Sequence, residues 1–273
     1  MKKKNRIYIL GHKNPDTDSI CSAIALAYLK NQTEDGTFVA KRAGQMNEET
    51  EYVLRHFHMT APAYLPDVGT QVKDMEIRPL PGVSKEISVR KAWDLMQELN
   101  AVTLPLTDEE AHLEGIITVG DITDSMMNQN PRALSEAGTP FGHIADTLDG
   151  TILVGERETL FDAGKIFIGA ANPDLVRKYI EPQDLVILGN RAEDHLCAVE
   201  MHAKCIVVGL NAEISPVILK YAEEMGCGII RSPYDTFTIA RMITQSIPAR
   251  ALMTSENLIT FHLQDFTDKI RVL

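Results

Sequence analysis

GHKNPDTDS, residues 11–19, is the stretch on which the reading of the chain turns. It follows an apolar, β-like run, Ile7 to Leu10, and precedes a helical pattern from Ser19 to Lys30. Strand, polar turn and helix in that order place side chains at the carboxyl end of a strand, where α/β folds bind ligands. Pro15 biases Asn14 toward an extended conformation, so the helix cannot start early. Asp16 and Asp18 are therefore expected just ahead of the helix, one of them near its N-cap. With His12 they put two carboxylates and one imidazole into seven residues, half of a ligand set for a divalent metal. Mixed oxygen and nitrogen donors suit manganese, iron or cobalt better than calcium, which prefers oxygen alone. An aspartate ahead of a helix is also the commonest kind of cap, and the spacing alone leaves both readings open.

The remaining composition narrows the field. At 273 residues the chain has length for two or three domains, and its 44% apolar content is ordinary for a globular protein. The net charge of −11 comes with no basic stripe to follow a phosphate backbone, which argues against nucleic acid as a partner. The Lys2–Lys4 run lacks the apolar stretch of a signal peptide, and no apolar run approaches the roughly 20 residues of a membrane span. Cys21, Cys197, Cys205 and Cys227 show no metal-ligand spacing and read as reduced thiols of a cytoplasmic protein.

Residues 5 to 65 read as an α/β piece: strand 5–10, helix 19–30, a β-like FVAKRAG at 38–44 and a helix from Asn47 to Phe57. Tyr52, Val53 and Phe57 are expected on the buried face of that helix. His56 and His58 are expected at the surface or at a domain contact. APAYLP, 61–66, is a proline-marked boundary. Beyond it come a strand and loop (VKDMEIRPLPGVS), an amphipathic helix from Ser88 to Asn100, then VTLPLTD, LEGIITVGD and ITDSMM. Trp93, Leu95, Met96 and Leu99 form the apolar stripe of that helix. From Pro131 to about residue 246, TILVGE, DLVILG, CIVVGL and GIIRSP are four short apolar runs separated by helical patterns. That alternation implies a mostly parallel sheet covered by helices. GNRAEDH, 189–195, reads as a surface loop carrying Asp194 and His195. From Ile247, ALMT, a turn, LITF and a helix from Asp265 begin another unit.

The string GHKNPDTDSICSAIALAYLK resembles the first motif of the DHH phosphoesterase superfamily, closest to the manganese-dependent family II inorganic pyrophosphatases. In that family the residues matching His12, Asp16 and Asp18 bind the catalytic metals. The resemblance implies a Mn2+ site at these positions, with Co2+ or Mg2+ as alternatives. The segment around Gly115, Thr118 and Asp121 (GIITVGD) resembles a CBS domain, in which a Thr and an Asp at this spacing hold a nucleotide ribose. Glycine lets the strand be approached closely, and a carboxylate accepts bonds from both ribose hydroxyls. The implied nucleotide site takes in Asn100, Val102, Ile116, Ile117, Thr118, Val119 and Asp121. Met253 and Leu258, in what looks like the opening of a second CBS domain, close one side. The structural alternative for Asp121 is a cap on the helix ITDSMM. GCGIIRSPYDTFTIARMI resembles the DRTGG domain, although the eponymous string is absent.

The order of pieces resembles the nucleotide-regulated subgroup of family II pyrophosphatases. The expected fold class is α/β: a partial DHH-type parallel domain at 1–65, a CBS domain at 66–130, a DRTGG-like α/β domain at 131–246 and the truncated start of a second CBS domain at 247–273. Such a chain would be cut mid-domain or be a truncated gene product. The family's remaining metal ligands and substrate lobe follow the second CBS domain. The resemblance thus implies a pyrophosphatase represented by part of its metal site and its regulatory block. AMP, ADP or a diadenosine polyphosphate would be the regulator, pyrophosphate the family substrate, and a homodimer the assembly. The competing readings are an adenine-nucleotide-binding module without catalytic activity and a fragment that binds nothing.

Overall fold

The structure, a computed structural model, describes residues 6–128 and 130–272; the Lys2–Lys4 run and Asn5 lie outside the described residues. The chain forms two compact units, Met1–Ile77 with Thr260–Leu273, and Arg78–Ile259. No helix among the described residues is long and apolar enough to cross a membrane.

The first unit contains β1 (Arg6–Ile9), α1 (Thr17–Thr33), β2 (Thr37–Arg42), α2 (Glu48–His56) and β3 (Ala63–Tyr64) in a parallel sheet of order β1-β2-β3. The helix expected from Ser19 starts two residues earlier. Asp16, extended at φ −90° and ψ −176°, is its N-cap and accepts the Ser19 N–H at 2.9 Å. Asn47 caps α2 through the Thr50 N–H at 2.8 Å. The buried residues of α2 are Thr50 and Leu54, while Tyr52 and Phe57 are exposed. The face expected from Tyr52, Val53 and Phe57 is thus displaced, because the cap sets which side of this short helix meets α1. The APAYLP boundary contains a strand: Ala63 and Tyr64 pair with Lys41 and Arg42 of β2.

The second unit opens with β4 (Val83–Ser84), α3 (Val89–Glu98), β5 (Thr103–Thr107), β6 (Leu113–Thr118), α4 (Val119–Met127) and α5 (Ala133–Glu136). It continues through β7 (Thr139–Pro140), α6 (Phe141–Thr147), β8 (Thr151–Val154), β9 (Leu160–Phe161), β10 (Ile166–Ile168) and α7 (Pro173–Tyr179). It ends with β11 (Leu185–Leu188), α8 (Ala192–Glu200), β12 (Cys205–Val208), α9 (Pro216–Met225), β13 (Gly228–Arg231) and α10 (Thr236–Met242). β4, β5 and β6 form one small sheet. A five-stranded sheet of order β10-β11-β12-β13-β8 is parallel except for β8. The four apolar runs are its strands; β10, only three residues long, is the one the sequence pattern missed.

β11 and β12 are buried along their whole length, as parallel strands covered on both faces must be. Their side chains alternate. Leu185, Ile187, Cys205 and Val207 join Phe141, Ile144, Ile239 and Ile243 on one face. Val186, Leu188, Ile206 and Val208 join Val176, Ala198, Val199 and Ile218 of α7–α9 on the other. The first of these cores continues through Val89, Met96, Leu104, Leu106 and Ile117, so the small sheet and the larger one share a hydrophobic interior. α3 buries Val89, Ala92 and Met96; Trp93, expected in the stripe, lies at its edge and is 37% exposed. GNRAEDH is not a surface loop throughout. Asp194 and His195 sit in the first turn of α8, 4% and 1% exposed, with His195 Nε2 2.8 Å from the Gly189 carbonyl. The turn packs inward because α8 must start over the end of β11 to lay Ala198 and Val199 on the sheet.

One local motif occurs twice. In the first unit the N–H groups of Val72, Lys73 and Thr267 bond the carbonyls of Asp265, Leu263 and Thr70. In the second unit Ala249, Arg250 and Val89 bond the carbonyls of Ile87, Lys85 and Ile247 in the same pattern. The isolated bridges Gln71–Phe266 and Ser88–Pro248 match in the same way. The pattern that opens at Val72 thus recurs at Ala249, two residues after Ile247. LITF forms no strand, and the helix expected from Asp265 is a 3-10 turn, Thr267–Val272. Residues 263–267 are taken up in pairing with 70–73, which delays the helix.

Candidate functional site

At the carboxyl end of β1, His12 Nε2 lies 3.4 Å from Asp16 Oδ1, with both side chains more than half exposed. The Ser19 N–H and the nearby His12 hold the Asp16 carboxyl below its ordinary range. Asp18 turns to Ser22, whose Oγ it accepts at 3.3 Å. Among the described residues no three His, Cys, Asp or Glu side chains are grouped to hold a metal ion. His12 and Asp16 fit as one nitrogen and one oxygen donor of a mixed set; Asp18 is not gathered with them.

The second candidate lies where β6 runs into α4. Thr118 is the N-cap, and a reciprocal capping box joins it to Asp121. Asp121 Oδ2 accepts the Thr118 N–H and hydroxyl, each at 2.7 Å, and Thr118 Oγ1 accepts the Asp121 N–H at 3.2 Å. The capping role therefore exists. It occupies one carboxylate oxygen, and Asp121 Oδ1 has no partner among the described residues. The Val119 N–H bonds the Val102 carbonyl at 3.0 Å, so the approach to β5 lies against the start of α4. Asn100, two residues before Val102, has φ +47°, the left-handed conformation that turns the chain out of α3. Val102 is 74% exposed, and Ile116 and Val119 are half-buried. Ile117 differs: it is fully buried, because strand alternation turns it onto the core side of β6. Its side chain is not available to a ligand.

The second copy of the repeat closes on this strand. Ile116 and Thr254 exchange hydrogen bonds of 3.0 and 2.9 Å. A Cβ on Gly115 would stand 2.9 Å from Met253 Sδ and from the Thr254 carbonyl oxygen, so only glycine admits this approach. Asp121 also lines a cavity of about 570 Å3, together with Asp124, Glu136, Arg250 and Leu252. Leu258 is half-buried and does not line it. Arg250 was missed from the sequence. Its guanidinium donates to Glu86 at 2.9 Å and to the Gly138 carbonyl at 3.4 Å. Aligning the two copies of the repeat would have marked it, since it occupies the place of Lys73. The cavity thus offers a carboxylate oxygen beside a helix start and one cation, Arg250, with Asp124 and Glu136 also in its lining; Val102, Ile116 and Val119 lie outside that lining.

Residues 72–128 match the CBS domain, and residues 143–246 match the DRTGG domain. Over 98% of its length the chain is 32% identical to the cobalt-dependent inorganic pyrophosphatase of Clostridium perfringens, covering 49% of that protein. Over 94% it is 29% identical to a probable manganese-dependent inorganic pyrophosphatase of Thermotoga maritima, covering 47% of it. The chain therefore spans about half the length of the curated relatives it matches. Among solved structures it resembles the CBS and DRTGG domains of the regulatory region of Clostridium perfringens pyrophosphatase, complexed with its activator diadenosine tetraphosphate. The TM-score is 0.70 at 27% identity, over 74% of this chain and 89% of that one.

Proposed function

We propose that this chain, which carries CBS and DRTGG domains and is homologous to manganese- and cobalt-dependent inorganic pyrophosphatases, supplies part of the metal site and the regulatory block of an adenine-nucleotide-controlled inorganic pyrophosphatase. The observation that carries the reading is the Thr118–Asp121 pair, with one carboxylate oxygen left over, at a cavity that Arg250 and Leu252 also line. In this reading Asp121 Oδ1 receives the ribose hydroxyls, and the base lies against the stretch from Asn100 to Leu104 and against Ile116 and Val119. Arg250 faces the phosphates. AMP, ADP or a diadenosine polyphosphate is the regulator, pyrophosphate the substrate and a homodimer the assembly. Among the described residues no cysteine is joined in a disulfide.

His12 and Asp16 are the residues that would hold Mn2+ or Co2+. Such a metal, when bound, lowers the pKa of a water and neutralises phosphate oxygens. The chain's own contribution is orientation: the Ser19 N–H fixes the Asp16 carboxylate at the head of α1, and His12 stands against the same oxygen.

Calorimetric titration of AMP and ADP into the wild type and Asp121→Ala tests the nucleotide reading. A hydrogen bond to a charged group contributes about 1.5–3 kcal/mol, so the variant should bind at least about tenfold more weakly. Equal affinities would remove Asp121 from the site, and no binding by either protein would leave the chain without the proposed regulator.

A further inference from the structure

We propose that Arg78 is a positioning residue that ties the base wall of the nucleotide cleft to the connector at residues 78–82, so that occupancy of the cleft is felt in the connector through it. The inference rests on the nucleotide reading above and adds the route by which that site acts.

α3 ends at Glu98, and its last carbonyls have no partner within the helix. Leu99 is the C-cap, and Asn100 then turns the chain with φ +47°. The Arg78 guanidinium bonds both exposed carbonyls, donating from Nη1 to Asn100 at 2.9 Å and from Nη2 to Leu99. This is a two-pronged contact that needs a planar fork. The turn it holds leads into Val102, whose carbonyl takes the N–H of Val119, next to Thr118 and its carboxylate partner. A base inserted against Asn100 and Val102 therefore presses on the segment that Arg78 grips. Arg78 is also the first residue of the second unit, and Pro79 and Pro81 follow it in a stretch without helix or strand. Prolines fix φ and stiffen such a stretch, so a shift of the guanidinium is passed along it rather than absorbed.

A plainer role exists: a cation at a helix C-terminus stabilises the helix through its dipole. Lysine would serve that role but cannot make the two-pronged contact. The experiment uses the full chain with Arg78→Lys and Arg78→Ala, AMP titration by calorimetry, thermal melting, and hydrogen exchange of residues 75–84 with and without AMP. In the wild type AMP should slow exchange at 99–104 and change it at 75–84. Arg78→Lys should melt close to the wild type, bind AMP about threefold to tenfold more weakly for the lost hydrogen bond, and show no AMP-dependent change at 75–84. Arg78→Ala should show the same loss of coupling with a lower melting temperature. The inference is overturned if the wild type binds AMP with no change at 75–84, or if Arg78→Lys keeps that change in full. Absence of AMP binding by the wild type would instead overturn the nucleotide reading, and the inference with it.

Discussion

Asp121 has a structural role in the cap of α4 and, in the proposal, a second one toward the nucleotide. One carboxylate oxygen closes the cap on α4, and the other is left over. Asp121→Asn should therefore keep much of the helix start while weakening nucleotide binding, whereas Asp121→Ala should also cost about 1 kcal/mol of stability through the lost cap. Chemical denaturation run beside the titrations separates the two effects; equal stability of both variants and the wild type would deny the cap its role. His143 gives a second prediction. Burial, only partly offset by the Ser246 carbonyl at 3.2 Å and by Asp146 and Glu86, pushes its imidazole below the ordinary value, and Arg157 adds to the push. Just below pH 6.5 the unfolded chain then takes up a proton that the folded chain refuses, so stability falls as pH drops through that window. His143→Gln should flatten this fall between pH 7.5 and 5.5 in denaturation midpoints. An unchanged slope would place the pH dependence elsewhere.

At the scale of elements, glycines separate backbone strain from crowding. Gly226 ends α9 at φ +69° with open space where a Cβ would be, so Gly226→Ala should cost about 1 kcal/mol, the left-handed conformation alone. Gly164, at φ +87°, would bring a Cβ to 2.1 Å from the Gln183 carbonyl oxygen, and Gly164→Ala should be clearly more destabilising in the same assay. The reverse order would contradict the packing described between β10 and β11. The strands of the large sheet were legible because parallel strands covered on both faces are unbroken apolar runs, as in LVIL and CIVV. The cap at Asp16 was legible because a small polar residue precedes its helix. Short elements were not. β10 has three residues and β3 two, and both exist through pairing with a neighbour that local sequence does not reveal. Ile117 is expected with the ligand only if β6 is taken as a unit; alternation sends every second side chain into the core. Arg250 and Arg78 were invisible for a related reason: each acts on a carbonyl or carboxylate remote in sequence.

At the scale of the whole molecule, the proposed metal-binding corner belongs to the first unit and the proposed nucleotide cleft to the second. Manganese should bind weakly, since His12 and Asp16 are the two donors brought together, and His12→Ala with Asp16→Asn should abolish the calorimetric signal. Tight binding that survives both changes would put the metal elsewhere. Sedimentation of the 30.3 kDa chain should show a dimer; a monomer with and without AMP would contradict that part of the proposal. The central claim is the place where the nucleotide sits. Photolabelling the intact chain with 8-azido-AMP, followed by peptide mapping, tests it most directly. The account predicts label within residues 99–104 or 116–121, lost in excess AMP and reduced in Asp121→Ala. Label concentrated on the ends of the large sheet, at residues 189–195 or 209–212, or label that excess AMP does not displace, would contradict it.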